Sequence, residues 1–211
     1  MSDHSDLARL EEKIQRLRSL IETSAILSSS LDLDEVLRLV LERAQKVVNG
    51  EASAILLYNP ATNKLEFEVA LGEKGDLIQS LRRKITLDLG QGIAGTVAQM
   101  RQPEWVPDAA RDPRVARTVD ATTGFVTRNI LCAPLLARDR LVGVAEVMNL
   151  AHPERCGPDD MEVFGAFCQQ VGVAIENARL HQVLLERERE KQQLEFAAVV
   201  QQSFLPSSVP T

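Results

Sequence analysis

Few residues in this 211-residue chain have the type and spacing to do chemistry. The three cysteines, Cys132, Cys156 and Cys168, contain no Cys-x-x-Cys pair, and their gaps suit neither a zinc ribbon nor a disulfide framework. The three histidines, His4, His152 and His181, are far apart, and none belongs to a two-histidine helical metal motif. A strained-turn serine, a cysteine with a recognisable His partner and a metal-holding carboxylate cluster are all missing from the pattern. The expectation is a chain with no catalytic residue and no metal ligand.

Two features invite a ligand. Gly90-Gln91-Gly92-Ile93-Ala94-Gly95 matches the dinucleotide fingerprint GxGxxG, with Asp112 roughly where a ribose-binding acid would fall. That fingerprint works between a buried parallel strand and a helix, whereas Ile85, Leu87 and Leu89 alternate with polar residues as in a half-exposed strand. The glycines therefore predict a tight turn into a helix. Trp105, Phe125 and Arg128 would give an aromatic wall with one cation, suited to a small anionic or planar ligand, although Trp105 would serve equally as core filling. Arg111, Arg114 and Arg117 lie in the same loop region, where they could recognise an anion or form a solvated face.

The elements that must position these residues follow from periodicity. Leu7, Leu10, Ile14, Leu17 and Ile21 form a short heptad seam, a candidate dimer interface or an amphipathic helix packed on its own domain. After Ser28-Ser29-Ser30, Asp32 and Glu35 read as a capping box, and the apolar face from Val36 to Val48 ends at Asn49-Gly50. The period then changes to that of a hairpin, 52–58 and 65–71, with one wet face. Short helices are expected at 76–83 and 93–100, and a largely apolar hairpin, 130–137 and 141–148, is expected at the centre of the sheet. Gly157-Pro158 opens a helix of roughly 45 residues, apolar first and charged later. Val173, Leu180, Leu184 and Leu194 fit a second seam, weakened by Asn177, Arg187 and Lys191 at its core positions.

Lys plus Arg total 24 against 30 Asp plus Glu, a net charge of −6, and such an acidic balance argues against a nucleic-acid binder. The longest apolar run has eight residues, Ile130 to Ala137, too short to span a membrane. The expectation is a soluble, cytoplasmic chain.

Several of these segments agree, in order, with one family. Gly90-x-Gly92-Ile93-Ala94-Gly95, Gln102-Pro103, Val106-Pro107-Asp108-Ala109, Asp112-Pro113-Arg114, Leu131-Cys132-Ala133-Pro134-Leu135, Val142-Gly143-Val144 and Asn149 resemble a GAF domain over about residues 20–182. The resemblance implies an α+β fold, a central antiparallel sheet flanked by helices, with a pocket for a small molecule or chromophore. Members that bind cyclic nucleotides share an Asn-Lys…Phe…Asp-Glu motif. This chain keeps Asn149 and Asp160 but has Leu150, Cys156 and Met161 at the other places. Asn149 joins Trp105, Phe125 and Arg128 as a candidate ligand-binding residue, and the ligand stays unassigned. The stretch Leu194 to Pro206 resembles the entry segment of bacterial metal-dependent serine phosphatases of the sporulation and stress-response type. The resulting expectation is a non-enzymatic sensory module: an N-terminal coiled-coil helix (1–30), a GAF-like sensory domain (31–182), and a C-terminal linker helix with the start of an output domain (183–211), the output being a serine/threonine phosphatase. It would act as a homodimer through Leu7, Leu10, Ile14, Leu17 and Ile21 and through Leu180, Leu184 and Leu194. A ligand-free dimerisation scaffold, or a sensor for a histidine kinase or cyclase, is the competing expectation.

Overall fold

The computed structural model describes residues 33–72, 85–115 and 124–204. The seam residues Leu7 to Ile21, the helix expected at 76–83 and Arg117 lie outside them. Helix α1 (Leu33–Val48) carries Asp34 and Glu35 in its first turn and Lys46 in its last, the charge order its dipole favours. Val36, Leu37, Val40, Leu41 and Ala44 make a fully buried stripe at helical spacing. Asn49 ends the helix in the left-handed region (φ 49°).

Strands β1 (Gly50–Asn59) and β2 (Lys64–Leu71) form the first hairpin. Its turn is fixed by Asn59, whose side-chain oxygen accepts from the Ala61 amide at 2.9 Å, and by left-handed Asn63, which accepts from the Tyr58 hydroxyl at 2.8 Å. Short β3 (Thr86–Asp88) leads through the Gly90-Gln91 turn into α2 (Gly92–Met100), and short β4 (Glu104–Val106) follows. The second hairpin is β5 (Ile130–Ala137) and β6 (Arg140–Leu150), and α3 (Pro158–Phe204) completes the order after one 3-10 turn.

All six strands pair antiparallel in the order β3-β2-β1-β6-β5-β4. The fold is the expected α+β one. The centre of the sheet is the β1–β6 pair, so only one strand of the second hairpin lies there, with β5 next to the edge strand β4. Both faces are covered: α1 and α3 pack on Leu131, Ala133, Leu135, Ala145 and Val147, while α2 packs on the face bearing Ile130, Cys132 and Val144. Two covered faces explain why β5 and β6 read as near-continuous apolar runs rather than alternating ones.

Helix α3 has 47 residues, about 70 Å at the helical rise. Phe164, Phe167, Val171 and Ile175 are buried against the sheet, whereas every side chain from Gln182 to Ala197 is exposed. Two glycines let α3 lie close: a Cβ on Gly165 would stand 2.9 Å from Pro103 Cγ, and one on Gly172 would stand 2.6 Å from the Leu136 N and C atoms. Leu136 sits at a register shift of β5, so the bulged backbone and the glycine meet each other.

Candidate functional site

The α2 face of the sheet is not completely filled. Between β1, β2, β6 and the first turn of α2 lies a space of about 860 Å³, counting its open side, lined mainly by apolar atoms that include Phe67, Ile85, Phe125 and Met148. Gly92, Ile93 and Ala94 bring the start of α2 to its wall. The glycine motif builds this approach. Gly90 and Gly92 hold φ values of 85° and 70°, and a Cβ on Gly95 would meet the Asp88 carbonyl oxygen and stand 3.2 Å from Gly90 N. The strand before this turn is a three-residue antiparallel edge strand, so the fingerprint serves a turn and a close helix approach and lacks the parallel-strand setting of dinucleotide binding.

One ionisable side chain lines this space among the described residues: Glu146, from β6. Its Oε1 accepts a long contact, 3.8 Å, from the Cys132 thiol. Burial pushes the Glu146 carboxyl up to about 7, with the thiol contact opposing that rise, and burial together with the Glu146 charge pushes the Cys132 thiol well above its ordinary range. The arrangement can accept a hydrogen bond from a ligand donor or hold a proton near neutral pH. It supplies no nucleophile, because Cys132 is fully buried and held as the thiol.

The four sequence-derived candidates separate in space. Phe125 lines the cavity. Trp105, on edge strand β4, packs half-buried against the core on the opposite, α1–α3 face. Arg128 and Asn149 come together in a bonding network that does not line the cavity. Asn149 Oδ1 accepts from the Arg128 amide at 2.7 Å, and its Nδ2 donates to Glu51 Oε2 and to the Val126 carbonyl, each at 2.9 Å. The Arg128 guanidinium pairs with the same Glu51, and hydrogen bonds from Asn149 and then Arg128 hold the Glu51 carboxyl below its usual range. Asn149 is fully buried, in the left-handed region (φ 57°) that Asn tolerates. It clips the 126–128 segment, which carries cavity residue Thr127, to the end of β6. Asn149→Ala should cost about 2 kcal/mol, three hydrogen bonds and a left-handed residue being lost together. Chemical denaturation would show it as a lower midpoint.

The loop arginines are engaged with carboxylates. Arg114 donates to Asp112 Oδ1 at 3.0 Å and also reaches Asp112 Oδ2 and both Glu104 oxygens, while Arg111 pairs with Asp108 at 3.2 Å. These contacts brace the loop that carries cavity residue Val115. Glu146 was not among the sequence candidates. The signal for it was a single carboxyl inside the otherwise apolar run Leu141 to Met148.

Among the described residues no His, Cys, Asp and Glu group could hold a metal, and no helix is long and apolar enough to cross a membrane. A family model described as "GAF domain" matches residues 30–176. The chain belongs to the GAF domain family. GAF domains serve as regulatory, sensory domains. The chain is 27% identical over 197 residues to the "Probable 3',5'-cyclic phosphodiesterase pde-5" of Caenorhabditis elegans, covering 88% of this chain and 27% of that protein. It is 34% identical over 113 residues to the dual 3',5'-cyclic-AMP and -GMP phosphodiesterase 11 of Drosophila melanogaster, covering 53% of this chain and 8% of that protein. The chain thus spans about a quarter or less of these relatives. Its fold is similar to the GAF domain of a phosphoenolpyruvate-protein phosphotransferase from Coxiella burnetii, at a TM-score of 0.69 and 17% identity, covering 81% of this chain and 98% of that one.

Proposed function

We propose that this GAF domain is a small-molecule sensor in a cytoplasmic signalling protein, with the α2-face cavity taking the ligand and α3 carrying the response to an output domain. The observation that carries this reading is the cavity itself: apolar walls, one carboxyl, and a lining drawn from β1, β2, β6 and α2 at once. A ligand that favours one placement of these elements shifts the population toward it, by no more than its differential affinity for the two placements. The resemblance of Leu194 to Pro206 to a phosphatase entry segment supports a serine phosphatase as the output. The two phosphodiesterase relatives raise a cyclic nucleotide as the ligand. Against it stands Leu150, a buried core residue where the cyclic-nucleotide motif has Lys.

Native mass spectrometry of the protein purified gently from cells tests the sensor reading. The expected result is an added small mass on the wild type that is missing from Ala94→Leu, whose side chain would occupy the cavity wall, while both melt as folded proteins. Wild type without added mass would overturn the reading in favour of a scaffold that only joins helices. The exposed Leu180, Leu184 and Leu194 favour that second reading.

A further inference from the structure

We infer that the α2-face cavity takes an organic cation, a planar amidinium- or guanidinium-like group on an apolar body, with the Glu146 carboxylate as its counter-ion. Strand register lays out the room for it. Across the sheet, Ala70 on β2 stands opposite Ala54 on β1, Ala54 opposite Glu146 on β6, and Glu146 opposite Cys132 on β5. The two alanines make a low floor beside the carboxyl, about 10 Å wide at two strand spacings. Met148 bounds that floor two residues along β6, and Leu56 and Phe67 bound it on the other side. Among the described residues Glu146 has one side-chain partner, the long Cys132 contact on Oε1, and its Oε2 accepts from none. Glu146 is only half-buried, and the surface it keeps belongs to the cavity it lines. A carboxylate in apolar walls with no cation beside it is costly, and a cation that reaches it relieves that cost.

Charge and hydration set the ligand class. Among the described residues no Lys, Arg or His lines the cavity: Arg128 pairs with Glu51, Arg114 with Glu104 and Asp112, and Arg111 with Asp108. The first turn of α2 brings about half a positive elementary charge to the wall, less than the full negative charge of the carboxylate. A cation must itself leave water, which favours a delocalised, weakly hydrated one over a compact ammonium, and its planar fork matches the two carboxylate oxygens. Burial pushes the Glu146 carboxyl up to about 7, so capture of a cation should tighten about tenfold from pH 6 to pH 8 as the ionised fraction rises. From the neighbouring elements, Cys132 on β5 faces Glu146 and stays a thiol across this range. Glu104 on β4 acts on Cys132 and is paired with Arg114, and burial holds Cys168 on α3 as the thiol behind the sheet. The described lining from β1, β2 and α2 has no ionisable side chain.

Selection of a cation rests on the cavity being the ligand site, as proposed above, and one experiment separates the two. Benzamidine, benzamide and benzoate share one shape and carry a positive, no and a negative charge, and benzamidine stays cationic from pH 6 to pH 8. Their affinities are measured by NMR titration of the isotope-labelled protein as wild type, Glu146→Gln and Ala94→Leu. At pH 8 the wild type should bind benzamidine about tenfold tighter than benzamide, with benzoate weakest, and Ala94→Leu should block all three. In Glu146→Gln, benzamidine should fall to within about twofold of benzamide and lose its roughly tenfold gain from pH 6 to pH 8. Equal affinities for the three probes, or a preference for benzoate, with Ala94→Leu still blocking them, would overturn the cation and leave the cavity as the ligand site. A preference for benzamidine that survives in Glu146→Gln would overturn Glu146 as the counter-ion. No binding of any probe, or binding that Ala94→Leu leaves untouched, would overturn both readings.

Discussion

Glu146→Gln should raise the urea midpoint markedly at pH 8 and only slightly at pH 5. The carboxyl moves from an ordinary 4.5 up to about 7 in the fold, chiefly through burial. A carboxylic acid raised in this way binds more protons folded than unfolded between those two values, so its contribution to stability falls as pH rises through that window. Above pH 7 the fold carries nearly the full cost of an ionised carboxyl in the cavity, about 3 kcal/mol, and well below 4.5 it carries none. Gln keeps the shape and cannot ionise. The gain on substitution should therefore approach about 3 kcal/mol at pH 8 and stay under about 1 kcal/mol at pH 5. An equal gain at both pH values would show that ionisation is not its source. Glu51 and Asp112 do not confuse the comparison, because hydrogen bonds from Asn149 and Arg114 hold them below their ordinary values, and their contribution is lost only as pH falls toward acid.

Gly172→Val should lower the melting temperature by roughly 6–12 °C, from a cost of about 3 kcal/mol for forcing atoms into a packed contact. On helix propensity alone, replacing a mid-helix glycine would help, so the sign of the change tests the contact. The Cβ would meet the Leu136 backbone, which cannot rotate away as a flexible side chain could. Helix α3 would have to lift off β5 where Val171 and Ile175 are buried. Gly157→Ala is the control, since a Cβ there meets nothing within 4 Å, and its melting temperature should stay near wild type. A small effect at Gly172 would mean that α3 slides easily on the sheet.

Both predictions fall on positions whose meaning depends on a neighbour distant in sequence. Glu146 is one carboxyl in a strand until β1, β2 and α2 enclose it, and Gly172 is a weak point in a helix until Leu136 lies beneath it. The same holds for Asn149 and Arg128, two ligand candidates in the sequence that the fold joins through Glu51, 98 and 77 residues away.

The sequence by itself determined the elements, because their signals are local. Period-3.6 apolar faces define α1 and the first half of α3, turn residues such as Asn59 and Asn63 define the first hairpin, and the glycines of 90–95 define the entry to α2. Ordered motifs along 90–149 were enough for the family. Strand β4 was missed because three residues are too few to show a period. Tertiary structure alone decided which face of each strand looks onto the cavity, which cations are already paired, and which carboxyl stands in an apolar wall. Those are properties of distance between remote residues, and hydrogen bonding and desolvation act over a few ångströms that sequence separation does not measure.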